Sequence, residues 1–290
     1  MKNLTSTAAA LALTASAAYA QSAWLPAPGE LLLTPNYTYF TFDKFLVGKQ
    51  VVTALKDNGA KWTQHAANLS TEYGISEDFA ADLTFGYVRA DTGNFAGFGR
   101  TSVDGIADTT FGLRYRLVDE HRSESAWMPT LSLRVGGIIE GSYDVTYAAP
   151  LNVGNGASGV ETSLLFGKQF GDSGFGMFGD LGFRHRAQGV PEDLFGSAGI
   201  FQRIGGFSLS FAYRHNQGLS GGDIGGPGFG TTYGFPQTRE IAQLVEGGLG
   251  YTDQGGRTYQ FTVAQKVAGR NTGEKFVLGF AVTFPFQLRK

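Results

Sequence analysis

The chain has 290 residues and a formal net charge of -2, with 43 glycines, 24 Phe, 12 Tyr and no cysteine. A slightly acidic chain offers no bulk basicity for nucleic acid. Without cysteine there is neither a disulfide framework nor a thiolate nucleophile or metal site. Mean hydropathy is -0.09, and no apolar run long enough for a membrane helix (about 18 residues) follows the first twenty positions.

Residues 1–20 read as a secretory signal. Lys2 gives a positive start, Ala8 to Ala18 is a short run of Ala, Leu, Thr and Ser, and Ala18-Tyr19-Ala20 supplies small residues at the cleavage positions. Cleavage before Gln21 removes Lys2 and leaves the mature chain at -3 (from -2, less one positive charge). Residues 21–29, with Trp24 and two prolines, read as an extended lead-in, and residues 30–290 as one folded unit.

Along that unit the dominant signal is a period of two, which marks strands whose faces meet different surroundings. In residues 30–43 Leu33, Tyr37 and Tyr39 share a face. A loop to about Ala60 leads to a strand over residues 61–75. After a short turn at Ser76-Glu77-Asp78, Ala81, Leu83, Phe85 and Tyr87 align. Residues 104–118 (DGIADTTFGLRYRLV) carry the pattern most plainly. Ala107, Thr109, Phe111, Leu113, Tyr115 and Leu117 form one face, and Asp108, Thr110, Gly112, Arg114 and Arg116 the other. A soluble sandwich would bury the aromatic face, whereas a membrane barrel would turn it to lipid and the arginines to a wet lumen.

The alternation continues through residues 127–140, 160–167, 175–186, 194–204, 207–214, 238–251, 257–267 and 274–286, giving about twelve strands. Four of the six connections after odd strands run to about a dozen residues or more, and most connections after even strands are short. That long-short beat, with the export signal, predicts an all-β protein: a transmembrane antiparallel β-barrel with both ends on the periplasmic side. The polar face mixes signs, which predicts arginine–carboxylate ladders. The lumen-lining candidates are Asp108, Arg114, Arg116, Arg134, Glu161, Asp180, Arg184 and Arg214. Arg89 falls on the apolar side, near a strand end where snorkelling is cheap.

The stretch from Gly105 to Leu117 (GIADTTFGLRYRL) resembles a strand motif of the outer-membrane proteins called the MetA-pathway-of-phenol-degradation family, often labelled transporters. The lead-in from Trp24 to Glu30 is similar to that family's W-x-x-x-x-G-E opening, as are residues 61–74 with the next strand and the aromatic last strand. The chain departs from the usual terminal aromatic, continuing past Phe286 as Gln287-Leu288-Arg289-Lys290. The resemblance covers most of the mature chain and is strongest in its first hundred residues. It implies passive movement of small, often aromatic or apolar, compounds across the outer membrane.

Other chemistry finds little support. A twelve-strand lipase needs a serine activated by histidine, and the one His-x-Ser, His121-Arg122-Ser123, falls in a periplasmic turn. His65, His185 and His215 stand singly, and the carboxylates are scattered rather than paired. Residues 221–226 (GGDIGG) lack the Lys-Ser/Thr of a phosphate loop, although Asp223 is a calcium candidate. No catalytic residue, resident metal or cofactor is assigned. The expected partners are outer-membrane lipids, a small solute and the barrel-insertion machinery, with no nucleic acid. The readings left open beside a channel are a structural or adhesive barrel with a filled lumen and, third, a hydrolase. The Gly-rich loop over residues 217–236 is expected to fold into or over the mouth.

Overall fold

The computed structural model describes residues 22–93, 101–145 and 153–288, so the signal assigned to residues 1–20 lies outside the described residues. One antiparallel sheet closes on itself. Its strands are β1 (Glu30–Phe42), β2 (Trp62–Gly74), β3 (Phe79–Asp91), β4 (in two segments, Ser102–Ile106 and Thr109–Val118), β5 (Thr130–Ile139) and β6 (Gly159–Gln169). The second half holds β7 (Phe175–Arg186), β8 (Asp193–Ile204), β9 (Phe207–Gly218), β10 (Ile241–Thr252), β11 (Thr258–Arg270) and β12 (Phe276–Gln287). Each strand pairs with its sequence neighbours, and β1 joins β12 from Glu30↔Gln287 to Thr41↔Phe276, which makes a closed twelve-strand barrel. No helix among the described residues is long and apolar enough to cross a membrane.

Burial decides between sandwich and barrel. On β4, Leu113 and Tyr115 are 57% and 43% exposed, while Arg114 between them is 2% exposed. The same inversion recurs with Val135 exposed beside buried Arg134, and with Leu164 exposed beside buried Ser163. A water-soluble fold would bury the apolar set, so an apolar exterior around a charged interior is the membrane-barrel arrangement. At Arg89, which is exposed on the outer face, the register partner is Asp104 near the long-loop rim.

The run 104–118 is not one uninterrupted strand, which corrects the placement of Ala107 on its apolar face. Tyr87↔Ile106 and Thr84↔Thr110 leave two residues on β3 opposite three on β4, a one-residue bulge. The bulge turns Ala107 against an internal cluster containing Trp62, Val88 and Val103. It also directs the Asp108 carboxylate to the Tyr143 hydroxyl (2.6 Å) and the Gly141 amide (3.0 Å).

Long connections gather at one rim and short ones at the other. The first long connection is more structured than the loop expected there. It holds a hairpin, Phe45–Val47 with Gln50–Val52, and a one-turn helix, Ala54–Asp57, whose Leu55 is fully buried in the cluster at the mouth. The short-rim exception, residues 119–129, folds inward at Glu120, which is 8% exposed.

Leu181 sits mid-strand on β7 and faces outward. Leu181→Arg is expected to destabilise the barrel by about 2–4 kcal/mol, the cost of a lipid-facing arginine near the bilayer midplane. Urea titration of the protein refolded into lipid vesicles measures this.

Candidate functional site

The interior charges form a ladder across seven strands. At its centre Arg134, 1% exposed, holds Asp82 through Nε (3.0 Å) and Nη2 (2.7 Å) and holds Glu161 through Nη1. Glu161 accepts from Arg184 Nε at 2.9 Å, Arg184 lies 3.9 Å from Asp193, and Asp193 is 3.3 Å from Arg186. In the other direction Arg114 pairs with Glu72 and lies 3.8 Å from Asp82. Two inward glycines make this possible. A Cβ on Gly112 would fall 2.7 Å from the Arg134 guanidinium and one on Gly136 2.8 Å from it, so that guanidinium lies flat on the wall only because neither carries one.

Of the eight sequence candidates, the structure brings Arg114, Arg134, Glu161 and Arg184 into this ladder. The other four are engaged elsewhere. Arg214 pairs with Glu246 (2.8 Å), Asp180 accepts from Ser197, Arg116 turns to Asp119 at the short rim, and Asp108 braces the long connection through Tyr143. The candidate list omits Glu72, Asp82, Asp193 and Glu246, although alternation puts each opposite an apolar face. The remaining wall is neutral and polar: Thr34 meets Thr283 (3.0 Å), and Asn36, Asn68, Ser70 and Thr84 link across β1, β2 and β3.

The lead-in does not hang outside the barrel. Ser22 to Leu25 are buried within the short-rim end, and Trp24 is 7% exposed. Its indole Nε1 donates to Glu120 Oε1 at 2.8 Å, and its ring meets Phe201 edge-on with centroids 6.2 Å apart. The backbone carbonyls of Ser22 and Ala23 accept from Arg114 Nη1 (2.9 Å) and Ser132 Oγ (2.7 Å). Glu120 is fixed in turn by Lys168 (3.3 Å) and the Gln169 amide (2.9 Å). A Cβ on Gly167 would fall 2.5 Å from the Trp24 ring, so this wall position must stay bare for the indole to seat. Alternation cannot reveal any of this, because the segment is not a strand.

At the long rim the Gly-rich loop lies over the mouth. Asp223 is gripped by the Arg270 guanidinium and by Asn271 Nδ2 (2.9 Å), while Asn271 Oδ1 accepts from the Gly48 and Ile224 amides (2.8 and 3.1 Å). Both Asp223 oxygens are thereby engaged, and no cluster of three or more His or carboxylate groups suited to a metal occurs among the described residues. The Arg270 guanidinium, with Asn271, holds the Asp223 carboxyl below its ordinary range. Burial acts against ionisation of Glu240, yet the Lys275 ammonium and the Thr272 hydroxyl (2.7 Å) hold it low as well. Burial and the bond to Asp108 push the Tyr143 hydroxyl well above its usual value. Beneath the loop lies a cavity of about 290 Å³ whose walls include Phe40, Phe42, Phe45, Trp62, Phe235 and Lys275.

The histidines are engaged singly. Ser123 Oγ accepts from the Ser125 amide, and the exposed His121 ring lies 3.9 Å from Glu120. His65 meets Tyr37 (2.5 Å), His185 meets Glu192 (3.3 Å) and His215 meets Gln217 (3.2 Å).

No family model and no curated protein matches the chain. Its structure is similar to that of an outer membrane channel from Pseudomonas putida F1, with TM-score 0.69 and 14% identity over 93% of this chain and 98% of that one. The chain has the fold of an outer-membrane β-barrel. Overlap with the CymD monoaromatic hydrocarbon channel is looser: TM-score 0.43 and 12% identity, over 90% of this chain and 89% of that one. The KdgM porin also overlaps at TM-score 0.43, with 11% identity over 87% of this chain and 99% of that one. At that level neither overlap carries an argument.

Arg134→Met removes the shared partner of buried Glu161 and half-buried Asp82, leaving them Arg184 and the more distant Arg114, and is expected to cost about 3 kcal/mol, the lower end of the penalty for breaking a buried charge pair. Urea unfolding in vesicles measures it. A depressed carboxyl stabilises above its unfolded pKa and loses that contribution as pH falls through its folded value. The Asp223 clasp therefore holds at neutral and mildly acidic pH and opens only below the ordinary carboxylate range. Asp223→Asn is expected to loosen the loop at neutral and mildly acidic pH and to match the native chain only below the ordinary carboxylate range, measured as faster proteolysis within residues 217–236.

Proposed function

We propose that this protein is an outer-membrane channel for small molecules whose lumen is closed at rest by its own N-terminal segment. Residues 1–20 act as its export signal, residues 21–29 as the plug and residues 30–290 as the barrel. The insertion machinery delivers it to outer-membrane lipid. The reading includes membership of the MetA-pathway-of-phenol-degradation family, on the motif from Gly105 to Leu117, and a solute that is small and aromatic or apolar.

The observation that carries the reading is the seating of Ser22 to Leu25. The wall is a rigid, fully hydrogen-bonded sheet, whereas the segment blocking it is tethered by three side-chain bonds, from Trp24 to Glu120, Arg114 to Ser22 and Ser132 to Ala23. Net, a neutral hydrogen bond is worth about 0.5–1.5 kcal/mol and one to a charged group about 1.5–3 kcal/mol; releasing the segment breaks one of the first kind and two of the second, far fewer bonds than any rearrangement of the sheet. The ladder sets four guanidinium groups (Arg114, Arg134, Arg184, Arg186) against four carboxylates (Glu72, Asp82, Glu161, Asp193). That balance favours neutral solutes over strong ion selection.

Planar-bilayer conductance and liposome flux test this. Trp24→Ala and Gly167→Ala, the second acting by crowding the indole, are each expected to raise open probability severalfold over the native chain. Closed behaviour in all three proteins, with no solute flux, would refute the channel and favour a structural or adhesive barrel with a permanently filled lumen.

A further inference from the structure

The Trp24 indole occupies a seat that the barrel wall builds for it. The floor is Gly167, where a Cβ would fall 2.5 Å from the ring, and one side is the Phe201 ring, met edge-on at 6.2 Å. The polar partner is Glu120 Oε1, which accepts the indole N–H at 2.8 Å. Glu120 is itself held by Lys168 (3.3 Å) and the Gln169 amide (2.9 Å), so the acceptor is positioned by the wall and not by the segment it receives. A file of rings leads to this seat. Phe195, Phe178 and Phe201 share the inward face of β7 and β8, each laid over a glycine of the neighbouring strand, Gly182, Gly199 and Gly176 in turn. The file descends from mid-barrel to the short rim. Phe178 and Phe195 are half-buried, Phe178 lies 6.5 Å from Phe201, and Phe201 meets Trp24.

We infer that the seat of Trp24 is a binding site for a neutral aromatic solute carrying a ring N–H or O–H donor, and that such a solute opens the channel by taking the seat from the indole. This rests on the channel reading above and deepens it by naming what releases the plug. The segment's own side chain shows what the seat accepts: a flat ring over Gly167, against the Phe201 edge, with its donor turned to Glu120. Charge narrows the class further. Glu120 is already balanced by Lys168, so a cationic ring gains little there and an anionic one is repelled by the carboxylate. Solute and indole compete for one place, and a solute that binds only the vacated seat shifts the population toward release. A short flexible tether presents its ring at an effective concentration of roughly millimolar order, which sets the solute level needed to compete.

The test uses the full chain with indole and with benzofuran, which has the same fused rings and a ring oxygen in place of the N–H. In Trp24→Ala the seat is empty. Isothermal titration in lipid nanodiscs is expected to show indole filling one saturable site there about tenfold or more tightly than in the native chain, where the tethered ring competes. Benzofuran is expected to bind Trp24→Ala about ten- to a hundredfold more weakly than indole, the worth of one hydrogen bond to a charged acceptor. Adding Gly167→Ala to Trp24→Ala crowds the floor and is expected to abolish indole binding. In planar bilayers, indole at roughly millimolar level is expected to raise the open probability of the native chain severalfold and to raise that of Trp24→Ala no further. The site is overturned if indole does not bind Trp24→Ala saturably, or if benzofuran binds as well. Release by solute is overturned if Trp24→Ala conducts and binds indole while indole leaves the native chain closed. If Trp24→Ala binds indole but carries no current, the channel reading fails, and release with it, while the site stands.

Discussion

In a bilayer core a strand's peptide groups have no water to bond, so every one must find a partner in the sheet. The pairing of β1 with β12, from Glu30↔Gln287 to Thr41↔Phe276, is the seam that satisfies this condition and leaves no open edge. Everything else depends on that closure. It fixes which parity faces lipid, and so forces the charged parity into a confined interior where ions must be paired. The tail is stitched into the same seam, with the Leu288 amide on the Gly29 carbonyl at 2.9 Å and Gln287 Nε2 on the Pro28 carbonyl at 3.1 Å.

The ladder around Arg134 is a consequence of confinement as much as a source of stability. A buried guanidinium is tolerated because Asp82 and Glu161 approach it from two sides and because Gly112 and Gly136 leave it room to lie flat. The attraction within such pairs is largely offset by the desolvation of the charges, so the ladder is poor evidence of net stability. It also prepares a surface for the lead-in. Arg114, already held by Glu72, has Nη1 left for the Ser22 carbonyl, and Ser132 on the next strand serves Ala23. The backbone of a segment without strand partners is thus satisfied by wall side chains.

The two rims are built differently. At the short rim the one long turn folds Glu120 inward as the acceptor for Trp24. At the long rim, connections from several strands converge through Asn271, whose side chain bonds Gly48, Ile224, Asp223 and Arg239. That convergence roofs the aromatic cavity and holds the Gly-rich loop across it. The same loop supplies Phe235 and Ile224 to the cavity wall.

Strand number, closure and the inversion of faces were legible in the sequence, because a period of two over Phe111, Leu113 and Tyr115 against Arg114 and Arg116 is a local property of the chain. Half of the ladder was legible in the same way, as parity marks which charges point inward. Their partners were not, because which carboxylate meets Arg134 depends on the stagger between β3, β5 and β6, and stagger is a relation between strands. The bulge that redirects Ala107 and Asp108 left no mark in a run whose alternation looks unbroken. Only the tertiary structure placed Trp24 inside the barrel and assembled the mouth cavity, since both bring together residues far apart in the chain, Trp24 with Phe201 and Phe40 with Lys275, whose sole connection is the volume that the closed sheet encloses.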